Sequence, residues 1–144
     1  MIYVLAYPSF APATAARVAR FRLANEPTRA NLVAPHVTLV FGVADKHAPA
    51  LITRCRDLAA NTRAFTVTFA SAQRVYDPFE NTHKLFLICG TGADTLTKLH
   101  NGLYTGPLQE EMDPDHPFRP HMTVATQSTG EEIDRLDPRV LGTL

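Results

Sequence analysis

The sequence predicts an α+β fold with mainly antiparallel sheets, in a single domain that spans residues 1–144. Helix-like and strand-like segments follow one another in the order β-α-β-α-β-β-α-β-α. The two consecutive strand segments in the middle are typical of a hairpin, which favours antiparallel pairing over a doubly wound parallel sheet. With 45% hydrophobic and 19% charged residues, the chain is typical of a globular domain that buries a core.

The first third of the chain predicts a strand, a helix and a second strand. Residues 2–6 are apolar, which is typical of a short strand. Pro12 suits the first turn of a helix, and residues 13–25 are rich in alanine and arginine without a helix breaker. A polar stretch then leads into residues 31–42, whose apolar run predicts the second strand.

The rest of the chain predicts a hairpin between two helices, followed by a strand and a short last helix. Phe65, Val67 and Phe69 alternate with threonines, which is typical of a half-buried strand. Ser128 and Glu131 fit a capping box before the last helix. In order, the predicted elements are a helix over 48–61, strands over 64–70 and 84–90 joined by a long tip, a helix over 91–104, an acidic proline-rich loop over 105–120, and a strand from residue 121.

Charge and cysteine content limit the expected partners and compartment. Lysine plus arginine (14) balances aspartate plus glutamate (14), so we expect a small ligand or a chain end and no extended nucleic acid. Cys55 and Cys89 each fall in an apolar segment, which is typical of buried thiols in a reducing compartment. The N-terminus lacks a basic region and no apolar run approaches membrane-spanning length, so we expect a cytoplasmic protein without a membrane partner.

A His-x-Thr motif occurs twice in strand-like sequence, once within residues 35–41 and once within residues 120–126. Because successive side chains of a strand point to opposite faces, each motif predicts one apolar face and one face that carries histidine and threonine. The predicted core-facing residues are Val37, Leu39, Phe41, Met122 and Val124. The predicted outward-facing residues are His36, Thr38, Val40, His121, Thr123 and Ala125.

Two such strands side by side would bring two imidazoles and two hydroxyls to one cleft, a set that suits attack at phosphorus. One neutral histidine would take a proton and the other, as imidazolium, would donate one, because the ordinary histidine pKa of about 6.5 allows both forms at neutral pH. The threonine hydroxyls would hold phosphoryl oxygens. This chemistry requires no cofactor and no metal. A single motif is more often structural, and a duplication preserved for structural reasons is the alternative.

The paired motifs resemble those of the two-histidine (2H) phosphoesterase superfamily, which includes 2′-5′ RNA ligase-like proteins and 2′,3′-cyclic nucleotide phosphodiesterases. Residues 117–126, "PFRPHMTVAT", are especially similar to the second motif of the ligase-like branch. The resemblance extends from the first strand to about residue 137. It implies two lobes of similar topology, related by a pseudo-twofold axis, around a central cleft.

The activity that the resemblance implies is metal-independent opening of a 2′,3′-cyclic phosphate, or of a related 2′-5′ linkage, usually with a 2′-phosphate as product. It implies that His36 and His121 are the acid/base pair and that Thr38 and Thr123 hold the phosphate. Which histidine is the acid stays open, as does the substrate among RNA termini, RNA-processing by-products and small cyclic nucleotides. A non-catalytic module that binds a nucleotide or RNA end in the same cleft is the alternative function.

Ligase-like members usually continue past the last helix with further strands, whereas this sequence stops at Leu144. We therefore expect the C-terminal lobe to be shortened and one sheet to be smaller. Such a sheet would leave an edge for a partner subunit, so both a monomer and a homodimer stay open.

Three further residues are candidate substrate contacts. Arg119 lies two positions before His121 and would share its face, where a guanidinium suits a phosphate oxygen. Tyr7 ends the first strand and would line the cleft or stack on a base. Tyr76 lies with Arg74 and Phe79 near the predicted hairpin tip, where an aromatic ring and a cation would hold a nucleobase. The alternatives are a surface arginine, a residue at the core edge and an exposed loop cluster.

The remaining histidines and the acidic run carry no predicted chemistry. His47, His83 and His100 are expected at the surface or at helix ends, and His116 lacks the neighbours of a metal site. The acidic residues of the loop are expected to be solvated, with a lid over the cleft as the alternative. They are Glu110, Glu111, Asp113 and Asp115.

Overall fold

The computed structural model describes residues 1–144, which form five strands, five α-helices and three short 3₁₀ turns. No helix is long and apolar enough to cross a membrane. The strands are β1 (Ile2–Ala6), β2 (Val37–Val43), β3 (Phe69–Asp77), β4 (Thr82–Cys89) and β5 (His121–Gln127). The helices are α1 (Pro12–Asn25), α2 (Pro27–Leu32), α3 (Ala48–Ala60), α4 (Ala93–Leu103) and α5 (Gly130–Asp134), and the 3₁₀ turns are Asp45–His47, Gly106–Glu111 and Pro138–Leu141.

The strands form two antiparallel sheets, which confirms the predicted α+β class. One sheet consists of β1 and β2, and the other has the order β3-β4-β5. The predicted hairpin is the β3–β4 pair. One sheet is smaller, as expected, but it is the sheet of β1 and β2 rather than the sheet of the C-terminal half.

Each half of the chain contributes a helix that packs on the motif strand of the other half, and both helices share one core. Helix α1 packs on β5, and helix α4 packs against β2. Each motif strand is therefore supported by a helix from the other half of the sequence, and β2 and β5 lie next to each other. The largest fully buried side chains of this core are Leu85, Leu103, Leu108, Met122, Ile133 and Leu141.

Both motif strands contain a β-bulge immediately after the threonine. In β2 the register against β1 shifts between Thr38 and Val40, and in β5 the register against β4 shifts between Thr123 and Ala125. A bulge adds one residue to one strand and therefore breaks the alternation of faces. This corrects three predictions: Val40 and Ala125 are fully buried instead of facing outward, whereas Phe41 is 46% exposed instead of facing the core.

Segment boundaries differ from the prediction where pairing partners or caps decide the structure. Residues 64–68 alternate like a strand but are not one, because β4 ends at Cys89 opposite Phe69 and only Thr68 bonds to the backbone beyond it, at Gly90 and Thr91. The hairpin tip is shorter than expected, since β3 continues to Asp77 and β4 begins at Thr82.

Two helix starts also differ from the prediction. Residues 31 and 32, predicted as strand, belong to the short helix α2, which begins with Pro27 in its first turn. The capping box of α5 lies one residue later than expected, because the side chains of Thr129 and Glu132 reciprocally bond each other's backbone N–H groups.

Candidate active site

The two motif histidines are held in the same way, each by the carbonyl group two residues earlier in the chain. His36 Nδ1 lies 2.8 Å from the oxygen of Ala34, and His121 Nδ1 lies 2.7 Å from the oxygen of Arg119. A carbonyl oxygen only accepts hydrogen bonds, so Nδ1 carries the proton in both rings. In the neutral form each ring therefore presents an unprotonated Nε2, an atom that can accept a proton.

His36 and His121 lie at the start of two neighbouring strands, close enough to affect each other electrostatically. Burial is the main cause that lowers the pKa of His121 below its ordinary value. Three positive charges lower this pKa further, those of Lys84, Arg119 and His36. The hydrogen bond to the Arg119 carbonyl has the opposite effect and raises it. His121 is therefore biased toward the neutral imidazole, the form that accepts a proton.

An aromatic ring contacts each motif histidine. Tyr7 meets His36 edge-on, with ring centroids 6.2 Å apart, and Phe86 stacks on His121 with centroids 3.8 Å apart and planes at 20°. Tyr7, which the sequence predicts to line the cleft or stack on a base, thus lies beside the first motif histidine. Phe86 was not predicted as a site residue, because in the sequence it is one of several apolar residues in the run of β4. Its position beside the second motif follows from its pairing with Thr123.

The two threonines lie on the same faces as the histidines that precede them. Thr38 pairs with Leu5 of β1, Thr123 pairs with Phe86 of β4, and both threonines are half-buried. Each bulge begins directly after its threonine, so the alternation of outward-facing and core-facing residues stops there. The next two residues of each strand are both buried. The structure thus brings together the His-Thr pairs that the motifs predict.

Arg119 and Lys84 supply positive charge beside His121. Arg119 is exposed and donates a hydrogen bond to Oε1 of Gln73, which pairs with Phe86 across the hairpin. Lys84 is buried on the same strand face as Phe86, and its Nζ lies 2.5 Å from Asp77 Oδ2 and 2.9 Å from a Glu80 carboxylate oxygen. The strand does not extend to Arg119, since β5 begins at His121, but the guanidinium still reaches Gln73 opposite Phe86. Lys84 was not predicted.

Lys84→Met is expected to raise the pKa of His121, because it removes a positive charge that disfavours the imidazolium form. An NMR titration of the His121 ring should therefore show its midpoint at higher pH in the variant than in the wild type. Lys98→Met, at an exposed position on α4, is the matched control. An unchanged midpoint in Lys84→Met would show that Lys84 does not tune this histidine.

Tyr76 does not reach the site, contrary to the prediction. It pairs with His83 on the face of the hairpin opposite to Phe86, where the two rings lie 5.1 Å apart and the hydroxyl donates to Asn81 Oδ1. Arg74, on the same face, donates to the carbonyl oxygen of Leu136. Because side chains alternate along β3, no residue of this face points toward His121.

Two of the histidines that were expected at the surface or at helix ends, His47 and His100, lie at helix ends and are buried. His47 Nε2 lies 3.2 Å from Oε1 of Glu111, and His100 Nδ1 donates to the carbonyl oxygen of Leu39 over 2.7 Å. Burial lowers the pKa of His100. The acidic loop residues are exposed, as expected of a solvated loop.

The motif histidines belong neither to a metal-binding cluster nor to the apolar cavity of the molecule. No group of three or more His, Cys, Asp or Glu side chains is placed to hold a metal ion. A mostly apolar cavity of about 800 Å³ lies between β1 and residues 62–67; it includes Tyr7 in its wall but neither motif histidine. The candidate site consists of the two His-Thr pairs and the cations beside them.

Comparison with known proteins matches most of this chain to one family. The family model of the 2′-5′ RNA ligase superfamily matches residues 10–142. A protein of Bacillus licheniformis named "Putative phosphoesterase" is 26% identical over 126 residues, which cover 86% of this chain and 68% of the relative. The family match includes both motif strands and all the site residues described above except Tyr7.

Proposed function

We propose, from the premise that the chain belongs to the 2′-5′ RNA ligase superfamily, that it hydrolyses a 2′,3′-cyclic phosphate or a short 2′-5′ phosphodiester without a metal ion. The observation that carries the proposal is the equivalent setting of His36 and His121 on neighbouring strands. Two imidazoles with the same free nitrogen can divide the proton transfers of an in-line displacement between them.

In the proposed reaction, His121 is the general base and His36 the general acid. Nε2 of neutral His121 takes a proton from a water molecule while the water oxygen forms a bond to phosphorus. The bond from phosphorus to the 3′ oxygen breaks, and Nε2–H of the His36 imidazolium donates its proton to that oxygen. The product is a 2′-phosphate, and the lowered pKa of His121 supports its role as base.

Thr38, Thr123 and Arg119 would stabilise the negative charge that builds on the phosphoryl oxygens. The two hydroxyls lie beside the two histidines, and Arg119 is exposed next to the second pair. Fixed donors of this kind act most strongly on charge that develops in the transition state.

A small cyclic nucleotide or an RNA terminus is the substrate class that this site favours. The exposed ring of Tyr7, which contacts His36, would pack against the ribose or base. The balanced charge of the chain and the small number of cations at the site support a short substrate over an extended nucleic acid.

The direct test is incubation of the purified protein in EDTA with the four 2′,3′-cyclic nucleotides and with 2′-5′ dinucleotides. We expect hydrolysis of at least one compound, with a nucleoside 2′-phosphate as the product in ³¹P NMR spectra. Binding of the cyclic nucleotides without turnover would contradict the enzymatic proposal and favour the non-catalytic binding module.

Thr38→Val and Thr123→Val are each expected to lower kcat by about 10²-fold, the usual effect of removing one donor to a developing oxyanion. Valine has nearly the same shape, so the strand and its bulge should be preserved. Thr66→Val, at an exposed position outside the site, should keep the wild-type rate. A wild-type kcat in both site variants would show that the hydroxyls do not hold the phosphate.

A further inference from the structure

His100 contacts β2 and the segment that leads into β5. It belongs to α4, and only 6% of its surface is exposed. Its Nδ1–H donates to the carbonyl oxygen of Leu39 over 2.7 Å, and burial keeps the ring neutral by lowering its pKa. His100 is thus the donor in a bond that joins α4 to β2.

The bond from His100 reaches β2 at its bulge. Leu39 is the residue that the bulge adds between Thr38 and Val40. A bulge takes backbone groups out of the strand ladder, and buried backbone groups need other partners. Two such partners come from α4 and the residue after it. One is the His100 ring, and the other is the Tyr104 hydroxyl, which accepts from the N–H of Phe41 over 3.1 Å. The conformation of β2 directly after the His36–Thr38 motif therefore depends on this helix.

The face of the same imidazole contacts the segment that leads into β5. The rings of His100 and Phe118 are stacked with centroids 3.9 Å apart and planes only 4° from parallel. Phe118 directly precedes Arg119, whose carbonyl holds Nδ1 of His121. The carbonyl of Pro120 is anchored separately by the N–H of Cys89 over 2.9 Å. A shift of the Phe118 ring would therefore be transmitted to the carbonyl that orients His121.

We propose that His100 is a positioning residue that sets the placement of the two His-Thr motifs relative to each other. Its Nδ1–H holds the bulge of β2, and its ring holds the segment before β5. The kinetic consequence of this role rests on the proposed function, whereas the orientation of the two motif histidines does not.

Three single variants separate the two contacts. His100→Asn keeps a donor, since the Asn amide nitrogen lies where Nδ1 lies in histidine, but removes the stacked ring. His100→Phe keeps a flat ring and removes the donor. Phe118→Leu removes the stack without changing His100. The measurements are the NMR resonances of the His36 and His121 rings in the unliganded protein, together with kcat and KM for 2′,3′-cyclic AMP.

We expect His100→Phe to shift the ring resonances of His36 and to leave those of His121 nearly unchanged. His100→Asn and Phe118→Leu should shift the ring resonances of His121 and leave those of His36 nearly unchanged. In all three variants kcat should fall by about 10- to 100-fold with little change in KM, since a small misplacement of reacting groups has effects of this size.

Unchanged resonances of both histidines in all three variants would overturn the proposal. Equal shifts of both histidines in every variant, with a lower unfolding temperature, would also overturn it, because they indicate general loss of packing. If the wild-type protein hydrolyses no cyclic phosphate, the proposed function fails, and the NMR comparison still decides the role of His100. If His100→Phe does not fold, Phe118→Leu and Tyr104→Phe test the β5 and β2 contacts separately.

Discussion

Replacement of either His36 or His121 by alanine is expected to lower kcat for a 2′,3′-cyclic nucleotide by about 10²- to 10⁴-fold, the usual contribution of a positioned acid or base. His121→Ala removes the nitrogen that activates water, and His36→Ala removes the proton donor for the leaving oxygen. Both side chains are partly exposed and start their strands, so the fold should tolerate the change. Initial rates in EDTA give the comparison directly.

The double variant His36→Ala/His121→Ala should be little slower than either single variant, because groups that act as a unit give strongly non-additive effects. His83→Ala is the matched control, since His83 lies on β4 but faces Tyr76 on the opposite side of the sheet. A wild-type rate in either motif variant would refute the paired mechanism, and so would fully multiplicative losses in the double variant.

Arg22→Met is expected to lower the free energy of unfolding by about 3–5 kcal/mol, the usual cost of leaving one partner of a buried ion pair alone. Arg22 Nε lies 2.6 Å from Oε1 of Glu26, with at most 3% of either side chain exposed. Arg22 also donates to the carbonyl of Val33, before β2, and Glu26 accepts from Thr126 of β5. Urea denaturation of wild type and variant measures the difference.

The double variant Arg22→Met/Glu26→Leu should recover most of the lost stability, because apolar residues of similar volume often replace a buried ion pair without loss. Arg135→Met, which removes an exposed pair with Glu131, should leave the urea midpoint unchanged. If Arg22→Met were as stable as the wild type, the pair would not join α1 to the segments around β2 and β5.

Local sequence patterns predicted most strands and helices because these elements have strong periodic or capping signals, whereas the predicted strand over 64–70 shares only two residues with β3. The apolar run of residues 84–90 and the stripe of α3 needed no tertiary information. The bulges of β2 and β5 could not be predicted, since a bulge is defined by the partner strand and leaves no local signal in an apolar run. The misassigned faces of Val40, Phe41 and Ala125 all follow from this.

The candidate site could be predicted only for the residues that belong to the repeated motif or lie next to it in sequence. His36, Thr38, His121 and Thr123 share a motif, and Arg119 is near His121 in sequence. Phe86, Lys84 and His100 act through contacts made across strands or between distant segments, so nothing in their local sequence distinguishes them. Tyr76 was misplaced for the same reason, because its face depends on where β3 begins and pairs.

The central claim is that the two motifs form one phosphate site. A crystal structure of the protein with a nucleoside 2′-phosphate, the expected product, tests it most directly. The claim predicts one phosphate group with oxygens within hydrogen-bond distance, about 2.6–3.2 Å, of Nε2 of His36 and Nε2 of His121. The hydroxyls of Thr38 and Thr123 should contact the same group. A phosphate bound by only one motif, or bound elsewhere while both imidazoles face solvent, would contradict it.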